Sequence, residues 1–223
     1  MSRRRGLIPL LAAVLILGGG AAAPAPAPSP GEADIFQSRS FVSNDLSSLP
    51  QWREALERGR KESAAIAACG ADCASLKELV WRAQLAGVRP ADPLRKLFVL
   101  NGFVNGLGPH TDAAPPPLGR PWPSVRDTLK GAGGAMGAAI LKYLSLREVG
   151  LPAQDMRIAI VRDALRGNDA VLLLVRVNGQ DIVLDSTHDS LREARRVRTL
   201  IPYYSFNENS VWIHIPTRQE AEP

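Results

Sequence analysis

Apolar positions recur at three- and four-residue spacing through the first two thirds of the chain, then change to strand-like runs after Pro152. The first helical stretch is predicted from about Gln51 to Ala68, with Trp52, Ala55 and Leu56 on one face. Ser75 and Glu78 have capping-box spacing and open a second helix through Leu76, Leu79, Val80, Ala83 and Leu85 to Gly87. A third follows Pro93, with Leu94, Leu97, Phe98, Asn101, Val104 and Asn105 in register. Ser124 and Asp127 mark a short helix ending near Lys130. Gly131, Gly133 and Gly134 then lead into a small-residue helix through Ala138, Ala139, Leu141, Leu144 and Leu146, stopping near Gly150.

Beyond Pro152, Arg157–Arg162 reads as a strand, and Ala170–Val177 as a second, apolar enough for burial on both faces. Asn178-Gly179 is a two-residue hairpin turn, and Gln180–Asp185 returns as the third strand. Residues 190–200 are polar and less defined, and residues 202–206 and 211–215 supply a last strand or two. Helices first and an antiparallel sheet afterwards make an α+β fold. Residues 33–50 are mixed and turn-prone, and residues 106–123 form a long Pro-rich loop of the kind that lines clefts.

The N-terminus adds a compartment. Arg3-Arg4-Arg5 precedes an apolar run from Leu7 to Leu17, followed by small residues to Ala23, the pattern of a secretory signal. The rival reading is a membrane anchor, but 11 apolar residues fall short of the roughly 20 that a spanning helix needs. The expected organisation is a signal peptide over 1–23, a Pro/Ala-rich linker and irregular segment over 24–50, a folded domain over 51–216 and a polar tail over 217–223. Membrane contact is expected only through the signal segment, and the location is periplasmic or secreted.

Export bears on the charge and the cysteines. The chain carries +5, three charges of which come from Arg3, Arg4 and Arg5. Arg192, Arg195, Arg196 and Arg198 cluster, either as a solvated face or as a patch for an acidic partner. With no interleaving of basic and aromatic residues, nucleic acid is not an expected partner. Cys69 and Cys73 in CGADC are expected to pair in an oxidising compartment. The alternative is a metal or redox pair, for which no third ligand lies nearby.

The order and spacing of these pieces resemble the bacterial transglutaminase-like cysteine proteinases, the LapG-type periplasmic proteases that cut large surface adhesins and control biofilm release. The resemblance rests on Trp81, on Val99-Leu100-Asn101 with Val104-Asn105, and on Trp122–Leu129. It continues through Ile140–Gly150, Val161-Arg162-Asp163, Ala170-Val171-Leu172, Val183-Leu184-Asp185, Tyr203-Tyr204 and Val211-Trp212. It implies a transglutaminase-like, papain-like fold over nearly all of the mature chain.

Registered on Lys142-Tyr143, the family's Gly-Asp-Cys-Glu-Asp-Tyr-Ala motif falls on Gly133–Ala139. The nucleophilic Cys then falls on Ala135, and the acidic residues of the family's calcium site fall on Gly134, Met136 and Gly137. The family His falls on Asp169 and the family Asp on Asp185. A methyl group cannot become a thiolate, and a carboxylate cannot replace the imidazole that takes and returns a proton near neutral pH. No catalytic set is intact, no metal or other cofactor is called for, and no Cys occurs after Cys73. Asp185 is either an inherited site residue or a strand-end cap, and Asp169 could face it as a carboxylate pair.

Asn101, Asn105, His110, Trp122 and His188 remain as candidate cleft residues. Asn101 and Asn105 share a helix face and suit hydrogen bonding to neighbouring backbone. His214, on a terminal strand, suits a structural role. The leading expectation is a pseudoenzyme that binds a surface adhesin or an envelope regulatory protein without cutting it. The alternatives are an active peptidase with a relocated centre at His110 or His188, with Ser186 or Thr187 as nucleophile, and a structural envelope-binding module.

Overall fold

The computed structural model describes residues 35–69, 73–110 and 120–217. The expected signal peptide, the 24–32 linker, the tip of the Cys69–Cys73 turn, the centre of the Pro-rich loop and the end of the polar tail lie outside them. Five helices precede most of the sheet: α1 (Pro50–Ala68), α2 (Leu76–Val88), α3 (Pro93–Asn105), α4 (Val125–Leu129) and α5 (Gly134–Glu148). The strands are β1 (Ser38–Ser43), β2 (Met156–Asp163), β3 (Asn168–Val177), β4 (Gln180–Asp185), β5 (His188–Glu193), β6 (Leu200–Phe206) and β7 (Val211–Pro216).

Local chemistry accounts for the element ends. Ser75 accepts from the Glu78 amide while the Glu78 carboxylate accepts from the Ser75 amide, so α2 starts with a complete capping box. Ser124 and Asp127 form the same box at α4. Asp92 caps α3 through the Arg95 amide. Between β3 and β4, Asn178 and Gly179 take φ values of 51° and 77°, which the two-residue hairpin requires. Cys69 and Cys73 form a disulfide across the α1–α2 connection.

All seven strands pair antiparallel in the order β1-β7-β6-β2-β3-β4-β5. The helices cover one face, and their main core includes Trp52, Trp81, Leu97, Leu100, Leu141, Ile158, Leu173 and Phe206. The other face is closed by a smaller core, with Ile35, Phe36, Ala194, Val197 and Leu200 over Ala159, Leu172, Leu174 and Val183. That second layer is why β2 and β3 are apolar on both sides. α5 lies between the other helices and the sheet, and every residue from Ala135 to Leu146 is buried. The indole of Trp81 donates to Ser145 Oγ at 2.8 Å, which satisfies both polar groups inside the core.

Two expectations change. The segment read as irregular before residue 50 carries β1, paired with β7 through Ser38↔Pro216 to Ser43↔Val211. The polar stretch over residues 190–200 carries the end of β5 and a short 3-10 turn, Ala194–Arg196. Neither shows a clean two-residue alternation. β1 is an edge strand with Phe41 and Val42 exposed side by side, and β5 leaves no residue fully buried.

Candidate functional site

The α4–α5 connection, Lys130 to Gly133, reverses the chain over four residues. Gly131 at φ 92° and Gly134 at φ 57° occupy left-handed backbone, open to glycine at little cost. The reversal packs Thr128 of α4 directly on the start of α5. A Cβ on Gly137 would stand 2.5 Å from Thr128 Oγ1 and 3.0 Å from Pro123 Cβ, and one on Gly133 would also collide with Thr128. No side chain caps α5. Its first amides, with no carbonyl of their own helix to bond, leave the positive end of the helix dipole there.

Ala135 stands at that end and is 4% exposed. It lines a cavity of about 230 Å3 with His110, Arg166, Asp169, Val171 and Asp185. Asn168, Ala170, Ser186 and Thr187 complete the wall. The positions given by the resemblance to the nucleophile, the His and the Asp therefore meet around one space, although 34 and 16 residues separate them along the chain. α5 supplies the floor, the β2–β3 hairpin end one wall, and the β4–β5 turn the other.

The Asp185 carboxylate is fully engaged. Oδ1 accepts from the Thr187 amide at 2.9 Å and the Thr187 hydroxyl at 2.8 Å. Oδ2 lies 3.1 Å from His188 Nδ1 and 3.0 Å from Arg192 Nη2. Burial raises its pKa, but the Thr187 and His188 hydrogen bonds and the charge on His188 outweigh burial and leave it below the usual carboxylate value. Asp169 does not pair with Asp185. Its Oδ1 lies 3.3 Å from Arg162 Nη1 and 3.1 Å from the Tyr203 hydroxyl, because Arg162 is its cross-strand neighbour.

The candidate cleft residues separate. His110 lines the cavity and is 5% exposed; its Nε2 lies 2.9 Å from Val104 O. A carbonyl only accepts, so Nε2 carries the proton, and Nδ1 is buried with no partner. His188 sits beside the turn, with Nδ1 against Asp185 and Thr187 and Nε2 3.3 Å from Arg166 Nη2. A relocated serine or threonine centre needs a hydroxyl on the far imidazole nitrogen; here a guanidinium occupies that position. Trp122 is a core residue, 6.3 Å from the Trp52 ring and 5.4 Å from Phe206.

Asn101 and Asn105 hold the β4–β5 turn onto α3. Asn101 Nδ2 reaches His188 O at 3.1 Å and Asp189 O at 3.2 Å. Asn105 Nδ2 reaches Asp185 O and His188 O, both at 3.1 Å, and Asp189 Oδ1 at 2.8 Å. His214 is buried between Ser38 Oγ at 3.1 Å and Ser205 Oγ at 2.8 Å, joining β1, β7 and β6.

Gly134, Met136 and Gly137 offer no side-chain oxygen, and Thr128 fills the space beside Gly137. The Asp127 carboxylate is committed to the Ser124 cap. Among the described residues no group of three or more His, Cys, Asp and Glu could hold a metal ion. These residues do not fit calcium, which takes six or more oxygen ligands.

Two functional neighbours escaped sequence reasoning. Arg166 gave no signal, being one of several polar residues in a turn, yet its guanidinium crosses to the β4–β5 turn, 3.0 Å from Thr187 Oγ1. Lys142 did carry a signal, a lone charge between Leu141 and Tyr143. It is 1% exposed and donates from Nζ to Asp185 O at 3.1 Å. Burial lowers its pKa to about 7, against the opposing pull of Asp185 and Asp189.

The fold is that of known structures. Calcium-bound LapG of Legionella pneumophila superposes with a TM-score of 0.58 at 23% identity, covering 75% of this chain and 92% of that one. EGTA-treated LapG from the same organism gives 0.57 at 22% identity, covering 69% and 84%. At this identity the likeness establishes the fold. No protein-family model and no curated protein matches the chain. Among the described residues no helix is long and apolar enough to cross a membrane.

Proposed function

We propose that this chain is an exported transglutaminase-like proteinase homologue that has lost catalysis and binds a segment of an envelope or adhesin protein without cutting it. The observation that carries this reading is the cavity at the start of α5. Its floor is the Ala135 methyl, at the place the resemblance gives to a thiol, and its walls include Asp169 where an imidazole would stand. Neither group can perform the first proton transfer of a cysteine peptidase. Export is supported by the basic and apolar pattern over residues 1–23 and agrees with the disulfide.

The fold retains what binding needs. An uncapped helix end, hairpin walls and a half-open cavity remain in place of a reaction centre. The residues around Gly134–Gly137 do not fit calcium, so binding is expected to be independent of it. The test is incubation of the purified chain with adhesin-derived peptides, with and without calcium or iodoacetamide, followed by mass spectrometry. Intact peptides are expected in every arm. Turnover that disappears on Asp185→Ala would sink the reading.

A further inference from the structure

Each carboxylate on the cavity wall already has a close cation. Asp185 has Arg192 at 3.0 Å and Asp169 has Arg162 at 3.3 Å. Arg166 is different. Its nearest carboxylate is Asp163 Oδ2, 3.7 Å from Nε, while neither terminal nitrogen holds a carboxylate: they rest on Thr187 Oγ1 and the His188 ring. The Asp163 Oδ1 is taken by the amides of Leu165 and Arg166 itself. A guanidinium with no carboxylate on either terminal nitrogen is poised to exchange these contacts for one, which it can hold through two parallel bonds.

Two further features of the same cavity favour an anion. The start of α5, a 15-residue helix with no side-chain cap, presents free amides at Ala135. The unpartnered Nδ1 of His110 costs stability as it stands. On taking a proton it becomes a donor, and the ring then bridges Val104 O and a bound anion. About 230 Å3 accommodates one small residue with its terminal group, not a chain running through.

We propose that the cavity receives the C-terminal residue of a peptide, its carboxylate held by Arg166 and the α5 amides, with one proton taken up from solvent at His110 Nδ1. This rests on the reading of the cavity as a non-cutting peptide site. The charged and titratable groups around it are Arg162, Asp163, Arg166 and Asp169 from the β2–β3 hairpin, and Tyr203 from β6. Asp185, His188 and Arg192 come from β4 and β5, and Lys142 lies beneath the turn.

The test is calorimetry of the purified chain with acetyl-Ala-Ala-Ala as the free acid and as the C-terminal amide. The acid is expected to bind at least roughly tenfold tighter, as charge-assisted pairing predicts. Its heat should differ between HEPES and Tris buffers by the difference in their ionisation heats for about one proton, and this difference should vanish in His110→Gln. Arg166→Gln, in an exposed turn, should abolish the acid's preference without moving the unfolding temperature. Equal affinity for acid and amide, binding of neither, or an undiminished preference in Arg166→Gln overturns the carboxylate assignment. Equal affinity leaves the non-cutting peptide site standing; cleavage of a longer peptide removes that reading itself.

Discussion

Thr128 Oγ1 fills the space in which a side chain at Gly137 would begin, 2.5 Å from the place of its Cβ. The contact joins α4 to the first turn of α5 and keeps the two helices at backbone distance. Gly137→Ala is expected to destabilise the fold by about 1–3 kcal/mol through overpacking. Thr128→Ala removes the obstructing oxygen, so the double variant should be more stable than the two single losses added together. Denaturant unfolding of the four proteins gives the coupling directly; strict additivity would place the obstruction elsewhere.

Ala135→Cys puts a thiol at an uncapped helix end, where the dipole favours thiolate. Iodoacetamide is expected to label one thiol per folded chain, since Cys69 and Cys73 are paired. Peptide hydrolysis should remain absent: Asp169 is no imidazole, His188 is occupied, and His110, whose Nε2 is held by the Val104 carbonyl, has no carboxylate behind it to stabilise an imidazolium. Labelling stoichiometry by intact mass and turnover of a peptide panel check the two halves separately.

Lys142 titrates in the folded chain near pH 7, well below its ordinary value, because burial disfavours its charge. Between about pH 7 and pH 10 the unfolded chain holds a proton there that the folded chain has released, so stability rises with pH across this window. Lys142→Met is expected to flatten that rise, with the largest gain in stability, of order a few kcal/mol, at and below neutral pH. Unfolding free energies at pH 6.5 and 9 for both proteins test the difference. A parallel rise in the two would show that Lys142 stays charged.

Asp185 behaves oppositely. Its folded pKa lies below the ordinary value, so its charged form stabilises the fold above the unfolded value near 4 and that contribution fades as pH falls through the folded value. Asp185→Asn should lose roughly 1–3 kcal/mol at pH 7, because Arg192 loses its carboxylate partner and the Thr187 donors lose a charged acceptor. The deficit should shrink below pH 4. A constant deficit across pH would assign the loss to shape alone.

The helices were legible because their information is local. Ser75 with Glu78, Ser124 with Asp127, and Asn178-Gly179 each set a boundary by chemistry within four residues. β1 and β5 were missed because strands at a sheet edge need not alternate. Their pairing with β7 and β4 is what makes them strands.

The sequence by itself determined the helix-then-sheet order, the caps and turns, and the absence of any thiol after Cys73. Only the tertiary structure decided which polar groups share a space. Asp169 turned to Arg162 and Tyr203 because a cross-strand neighbour, invisible in linear order, lies within reach. His110, Ala135 and Arg166 met because α5 is sandwiched under two hairpin ends. Periodicity and capping act over a few residues, whereas pairing, burial and charge depend on contacts closed across dozens, and those are settled when the whole chain packs.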